Sequence, residues 1–144
     1  MDLHVLTIVF PLLLLLYQVI IDFVDLFPFN DIKAKDTRLR KLEVLGNYPP
    51  LIIIAFCFYF NMTWSVWVGF VLTSTILIMH LFAWWLPYLT GYPNGVRGDY
   101  EKYFTRTYKF LPRIKNHIVP DAEHIGVGVL IVATFIIQAL YLFG

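Results

Sequence analysis

The chain has 144 residues, of which 59% are apolar and only 15% carry a charged side chain. A soluble domain is about 45–50% apolar and about 25% charged, so this composition excludes an ordinary soluble globule. It also excludes disorder, and the net charge of +1 excludes a strongly basic nucleic-acid-binding protein. The single cysteine, Cys57, excludes an internal disulfide framework and a cysteine-based zinc site.

Four apolar segments are predicted to be transmembrane helices, because a bilayer core about 30 Å thick needs about 20 apolar residues. The first segment has no charged residue between Asp2 and Asp22. The uncharged run 51–90 would form a rod of about 60 Å at 1.5 Å per residue, so it must turn back. The polar triplet at 61–63 is the predicted turn. The four helices are therefore placed at about 3–27, 42–60, 64–88 and 123–143.

The basic residues are confined to two segments, the predicted loops 28–41 and 89–122, which together hold all 11 lysines and arginines. The positive-inside rule then places both long loops in the cytoplasm and both termini outside. The sequence thus predicts an all-α integral membrane protein whose single domain, 1–144, is one bundle of four transmembrane helices. The cell membrane, plasma or inner, is the predicted location.

The second loop contains a predicted amphipathic helix at about 99–111, ended by Pro112. Its aromatic residues recur at helical spacing, and its basic residues fall on the other face. Two interpretations stay open. The helix lies on the inner leaflet, near anionic lipids, or its aromatic face packs on the other helices. The candidate lipid-interface residues are Lys102, Tyr103, Phe104, Arg106 and Lys109.

Ionisable residues at membrane depth are costly and usually face a bundle interior or a cavity. In the first helix, Gln18, Asp22 and Asp25 have the i, i+4, i+7 spacing of one stripe, and His80 lies deepest in the third helix. If the helices form one bundle, six side chains can converge at the level of the inner leaflet. They are Asp22, Asp25, Glu43, His80, Glu123 and His124.

Carboxylates and imidazoles in a partly dry pocket suit acid–base catalysis, a proton relay or a metal site. A metal held by such ligands is expected to be of the zinc or iron type. A structural interpretation stands beside these. Glu123 is favourable at a helix N-terminus, and Asp22 and Asp25 can reach water or pair with Arg38 or Arg40. No cofactor, metal or nucleic-acid partner is predicted.

Three functional hypotheses follow, and an enzyme is not the favoured one, because the chain has no HExxH, GxSxG, phosphate-loop or dinucleotide motif. The favoured hypothesis is an accessory, regulatory or immunity-type component that acts within the membrane on a protein partner or a second copy. The first alternative is a membrane-embedded enzyme that uses the Asp/His cluster on a lipid or isoprenoid substrate. The second is an oligomeric ion or proton pathway.

Geometry distinguishes these hypotheses. An enzyme needs His80 within about 4–6 Å of Asp22, Asp25 or His124, beside a cavity. A pathway needs polar groups through the full depth of the membrane. The outer half offers only three, which are Thr73, Thr134 and Gln138.

Overall fold

The computed structural model describes residues 2–144, which are helical or irregular and include no β-strand. The helices are α1 (Leu3–Phe23), α2 (Thr37–Phe60), α3 (Thr63–Thr90) and α5 (Ala122–Phe143). A short helix, α4, begins with Arg97–Asp99 and continues as the π-helical turn Tyr100–Phe104. By length and composition, α1, α2, α3 and α5 can each cross a membrane, which confirms the prediction of four such helices.

The four long helices close into one bundle, in which α1 and α3 each pack against both α2 and α5. One end of the bundle, called here the loop end, carries the segments 24–36 and 91–121. The other, the turn end, carries the tight connection between α2 and α3. At the turn end the His4 ring hydrogen-bonds the carbonyl of Phe58 at 2.8 Å, and the Tyr141 hydroxyl donates to Asn61 at 2.7 Å.

The surface of the bundle is apolar along most of its length. Large side chains such as Leu16, Phe56, Val71 and Val129 are more than half exposed. Water disfavours so much contiguous apolar surface, whereas lipid hydrocarbon does not. The interior also holds a compact apolar cluster. An apolar interior together with an apolar surface indicates an integral membrane protein. The cluster is formed by Leu14, Leu51, Ile54, Phe58, Val66 and Ile131.

The first helix ends at Phe23, earlier than the predicted residue 27. Asn30 explains this, because its fully buried amide lies under the end of the helix. The Asn30 side chain donates to the carbonyls of Ile21 at 2.8 Å and Val24 at 2.7 Å, and accepts from the Leu26 amide at 2.8 Å. It thereby satisfies carbonyls that a helix C-terminus leaves without partners.

The second helix begins at Thr37 rather than near 42, because Asp36 caps it by accepting from the Leu39 amide at 2.9 Å. The helix continues through Pro49 and Pro50. In α3, a π-helical turn at Leu81–Trp85 follows His80 directly. Such widened turns inside α-helices frequently occur at functional sites.

The helix of the second loop ends at Phe104, so its predicted extension to residue 111 is wrong. After Phe104 the backbone forms hydrogen bonds with other segments in place of helical ones. The Tyr108 amide donates to the Pro28 carbonyl at 2.7 Å, and the Ala122 amide donates to the Tyr108 carbonyl at 2.9 Å. Tyr103 and Phe104 are buried in a cluster with Trp84. Their aromatic face therefore packs on protein, as the second of the two interpretations expects.

Candidate functional site

A cavity of about 270 Å³, lined by both polar and apolar side chains, lies at the loop end, between α1, α2, α3 and α5. The amides of Gln18 and Asn47 also line it, and among the described residues no lysine or arginine does. The structure brings five of the six predicted site residues to this cavity, one or two from each long helix. They are Asp22, Glu43, His80, Glu123 and His124.

Beside the cavity, Lys35 of the first loop is buried among three carboxylates, with 1% of its side chain exposed. Its Nζ lies 2.7 Å from Glu123 Oε1, 3.0 Å from Glu43 Oε1 and 3.6 Å from Asp22 Oδ1. Burial by itself lowers the pKa of Lys35, but the charges of Glu123 and Glu43 outweigh it and raise the pKa above its usual value. Lys35 is therefore an ammonium ion.

The negative charge of three ionised carboxylates exceeds the single positive charge of Lys35. The carboxylates are also only partly hydrogen-bonded. One oxygen of each can be chosen so that all lie within 4.8 Å of one another. Tyr48 donates its hydroxyl to Asp22 Oδ2 at 2.8 Å. The Oε2 atoms of Glu43 and Glu123 are buried and have no hydrogen-bond partner among the described residues. The group thus has unused capacity to bind a proton or a cation.

His124 forms a fixed pair with Asp121, which also caps α5. The Nδ1 atom lies 2.6 Å from Asp121 Oδ1, and the second oxygen of that carboxylate accepts from the Thr107 hydroxyl at 2.5 Å. The ring stacks on Trp84 at 3.5 Å between centroids and meets the edge of Phe104 at 4.8 Å. A neutral His124 that donates through Nδ1 leaves the Nε2 lone pair free for a group in the cavity.

Burial by itself raises the pKa of the Asp121 carboxyl. The positive charge that His124 carries when its ring is protonated, together with hydrogen bonds from His124 and Thr107, outweighs burial and lowers the pKa below its usual value. Asp121 is therefore a carboxylate that orients the His124 ring, as the third member of a catalytic triad does.

Two further side chains of the cavity have unsatisfied polar atoms. His80 is 9% exposed and its Nε2 has no hydrogen-bond partner among the described residues; the same holds for Oε1 of the buried Gln18. A Cβ at position 128 would lie 2.9 Å from His80 Nε2. Gly128 is therefore the residue that lets His80 lie directly against α5.

Asp25, the sixth candidate, is not part of the cavity. Because α1 ends at Phe23, the helical stripe does not continue to Asp25, which instead pairs on the surface with Lys33 at 2.8 Å. That bond lowers the pKa of the Asp25 carboxyl. The alternative in which Asp22 and Asp25 pair with Arg38 or Arg40 is not found among the described residues: Asp22 contacts Lys35 and Tyr48, and Asp25 contacts Lys33.

The candidate lipid-interface residues lie at the loop end, in α4 and in the segment that follows it. Lys102 and the hydroxyl of Tyr103 both donate to Asp36, at 2.9 and 2.5 Å. Arg106 approaches Asp31 at 3.7 Å, and its side chain is 71% exposed. Lys109 donates to the carbonyls of Phe104 and Thr107. Of these basic residues, Lys102 and Arg106 have side chains that are mostly exposed.

Sequence reasoning missed Lys35, Asp121 and Tyr48 as members of the site. Asp121 had a readable signal, because it stands three residues before His124 at the start of a helix, where an aspartate caps. Lys35 had none, since it lies 88 residues from Glu123 in the chain. Comparisons of the chain with protein-family models, curated proteins and solved structures give no match. Function is therefore inferred from the chemistry of the site.

Proposed function

We propose that the chain is a membrane-embedded acid–base enzyme that acts on a lipid- or isoprenoid-type amphiphile whose polar head enters the cavity. One observation carries the proposal. A histidine oriented by a buried aspartate lines the same cavity as three carboxylates. Titratable groups gathered in a cleft mark a candidate catalytic site.

The residues supply proton transfer, so the reaction is a hydrolysis or an isomerisation. His124 takes a proton through Nε2 from water or from a substrate hydroxyl, and Asp121 stabilises the imidazolium that forms. The His124 imidazolium then gives that proton to the leaving or rearranging group. Lys35 holds the carboxylates of Glu43 and Glu123 in place through bonds of 3.0 and 2.7 Å.

A substrate from the membrane can reach this site from the side. The lining includes Gly46 of α2 and Met79 of α3, both exposed, with the apolar Ile76 and Ala83 behind them. An amphiphile that enters between α2 and α3 keeps its chain in hydrocarbon while its head reaches His124. The carboxylates repel a phosphate head unless a cation accompanies it.

The membrane setting is part of the proposal. The basic residues of the two long loops support an orientation in which the loop end, and with it the cavity, lies on the cytoplasmic side of the cell membrane and both termini lie outside. In this orientation α4 lies at the inner surface, and Lys102 and Arg106 meet anionic headgroups. The exposed fractions of their side chains, 62% and 71%, support that contact.

The two other hypotheses have less support. A component that acts only by contact does not need an oriented histidine beside a cavity. A pathway needs polar groups that bond along the whole bundle, but the Thr73 and Thr134 hydroxyls donate to carbonyls of their own helices, those of Gly69 and Leu130.

The proposal is tested with the purified chain in vesicles made from the total lipid extract of the expression host. Mass spectrometry of timed samples is expected to find a lipid that is consumed and a product that accumulates. His124→Ala is expected to slow this conversion by about 10²–10⁴-fold. His117→Ala is the matched control, because His117 also lies at the loop end but bonds the Tyr88 carbonyl, away from the cavity.

A further inference from the structure

We infer that Asp22, Glu43 and Glu123 bind one divalent cation of the oxygen-preferring class, Mn²⁺ or Mg²⁺, in the cavity beside Lys35. The inference adds a cofactor to the proposed site. It depends on the proposed function only for the role of the ion, since binding is a property of the carboxylates themselves.

The geometry fits one ion. The three carboxylates come from α1, α2 and α5, and one oxygen of each lies within 4.8 Å of the others. Oxygen ligands of a single ion, at about 2.0–2.6 Å from it, are at most about 5 Å apart. One oxygen of each carboxylate faces the Lys35 ammonium, so the ion would use the second oxygens, of which the Oε2 atoms of Glu43 and Glu123 have no partner among the described residues.

A second observation points to a ligand independently of the acidic cluster. Gln18 lines the same cavity, only 7% of it is exposed, and its Oε1 has no hydrogen-bond partner among the described residues. An amide oxygen without a partner is costly to bury, and it is a ligand that Mg²⁺, Mn²⁺ and Ca²⁺ accept. Within the cluster itself, Oε2 of Glu123, a residue 4% exposed, also has no partner among the described residues.

A fully ionised group favours a divalent ion. With three ionised carboxylates and one ammonium ion, the group carries two excess negative charges. Burying an uncompensated charge is expensive, and among the described residues no lysine or arginine lines the cavity itself. One divalent cation neutralises the group. Two protons on the carboxyl groups would also do so, and the experiment below separates these cases.

The donor atoms decide the class of metal. Three carboxylates and an amide supply oxygen, which suits Mg²⁺ and Mn²⁺ better than zinc. One ring nitrogen of His124 is bonded to Asp121. Neither His80 nor His124 has a ring nitrogen within 4.8 Å of all three carboxylates. The zinc- or iron-type ion expected from the sequence therefore fits less well than an oxygen-bound ion.

The test is a titration of the purified full chain, first treated with EDTA, with Mn²⁺ as the probe. Free Mn²⁺ is read by electron paramagnetic resonance. The wild type is expected to bind one Mn²⁺ per chain, and Glu43→Gln and Glu123→Gln each at least tenfold more weakly. Asp25→Asn is the matched control, because Asp25 is a surface carboxylate at the same end of the bundle, and it is expected to bind like the wild type.

A wild-type chain that binds no Mn²⁺ overturns the inference whatever the variants do, and protonated carboxyls then balance the charge. Binding that Glu43→Gln and Glu123→Gln leave unchanged also overturns it. The proposed enzyme fails separately: one bound Mn²⁺ without any lipid conversion contradicts the function and retains the metal site. Lipid conversion by a chain that binds no Mn²⁺ retains the proposed function and contradicts the metal site.

Discussion

At the scale of single residues, Lys35 determines the charge balance of the loop end. Its ammonium group is the shared partner of Asp22, Glu43 and Glu123, and almost none of it reaches solvent. Removing one partner of a buried ion pair leaves an uncompensated charge, which costs far more than an intact pair contributes. Lys35 therefore holds a structural role as well as a place in the site.

Lys35→Met keeps the length of the side chain and removes its charge. It is expected to lower the free energy of unfolding by about 3–5 kcal/mol, because three carboxylates then face one another. Unfolding by SDS in mixed micelles without added metal measures this. Lys33→Met, which removes an exposed cation from the same loop, is the control and should change little. A Lys35→Met chain as stable as the wild type would contradict the account.

Residue spacing predicted much of the site and missed its centre. Asp22, Glu43, His80, Glu123 and His124 were identifiable because charged groups in apolar helices are rare. Asp25 was included wrongly, since the helix that would have aligned it ends at Phe23. Lys35 was counted only as one loop charge, because its partners are distant in sequence and no local pattern marks a long-range ion pair.

At the scale of elements, α4 is held to the start of α2 by Asp36. This carboxylate caps α2 and accepts from Lys102 and Tyr103, so one side chain joins two segments of the loop end. Hydrogen bonds from Tyr103, from the Leu39 amide and from Lys102 hold the pKa of Asp36 well below its usual value. The attachment of α4 is thereby sensitive to acid.

Because the folded-state pKa of Asp36 lies below the unfolded value of about 3.9, its stabilising effect is complete above that value and is lost as the pH falls below it. Hydrogen exchange of residues 97–104, corrected for intrinsic rates, is expected to be constant from about pH 5 to 8 and to rise below about pH 4. Asp36→Asn keeps a capping side chain and should lose this dependence. Equal acid sensitivity in both chains would show that another group is responsible.

The packing of α2 on α3 depends on Gly69. A Cβ at this position would lie 2.8 Å from Phe58 Cε2 and 3.0 Å from the Cβ of Cys57. Gly69→Ala is expected to lower the free energy of unfolding by about 1–3 kcal/mol, because the helices must move apart. Gly46→Ala is the control: no heavy atom lies within 4 Å, and a helical Gly→Ala change contributes about 0.5–1 kcal/mol of stability. Equal stability of the two variants would refute close packing at Gly69.

The existence of the long helices was predictable and their ends were less so. Uncharged runs of membrane length locate α1, α2, α3 and α5 directly. The end of α1 depends on Asn30, whose amide folds back from the loop, and the end of α4 depends on backbone bonds from Tyr108 and Ala122. Such contacts between segments override local helix patterns.

At the scale of the whole molecule, polarity is distributed along the axis of the bundle. The turn end is mostly apolar, whereas the loop end gathers the cavity, the buried charges and the basic loops. From the basic residues at the loop end, the positive-inside rule predicts that this end faces the cytoplasm. Whether a substrate reaches His124 from the inner leaflet depends on that orientation.

The orientation is tested by single cysteines in a Cys57→Ala chain expressed in cells. Met62→Cys lies exposed at the turn end and Arg113→Cys exposed in the second loop. A membrane-impermeant maleimide is expected to label Met62→Cys on intact cells and Arg113→Cys only after permeabilisation. The opposite pattern would place the loop end outside and contradict the proposed cytoplasmic site.

The central claim is that the cavity at the loop end performs acid–base chemistry on a membrane amphiphile. Its most direct test is the time course of lipid composition in vesicles that contain either the wild-type chain or His124→Ala. We predict that a lipid is converted by the wild type and by His117→Ala, and that His124→Ala converts it at least about 100-fold more slowly. Identical lipid compositions with all three folded chains would contradict the claim.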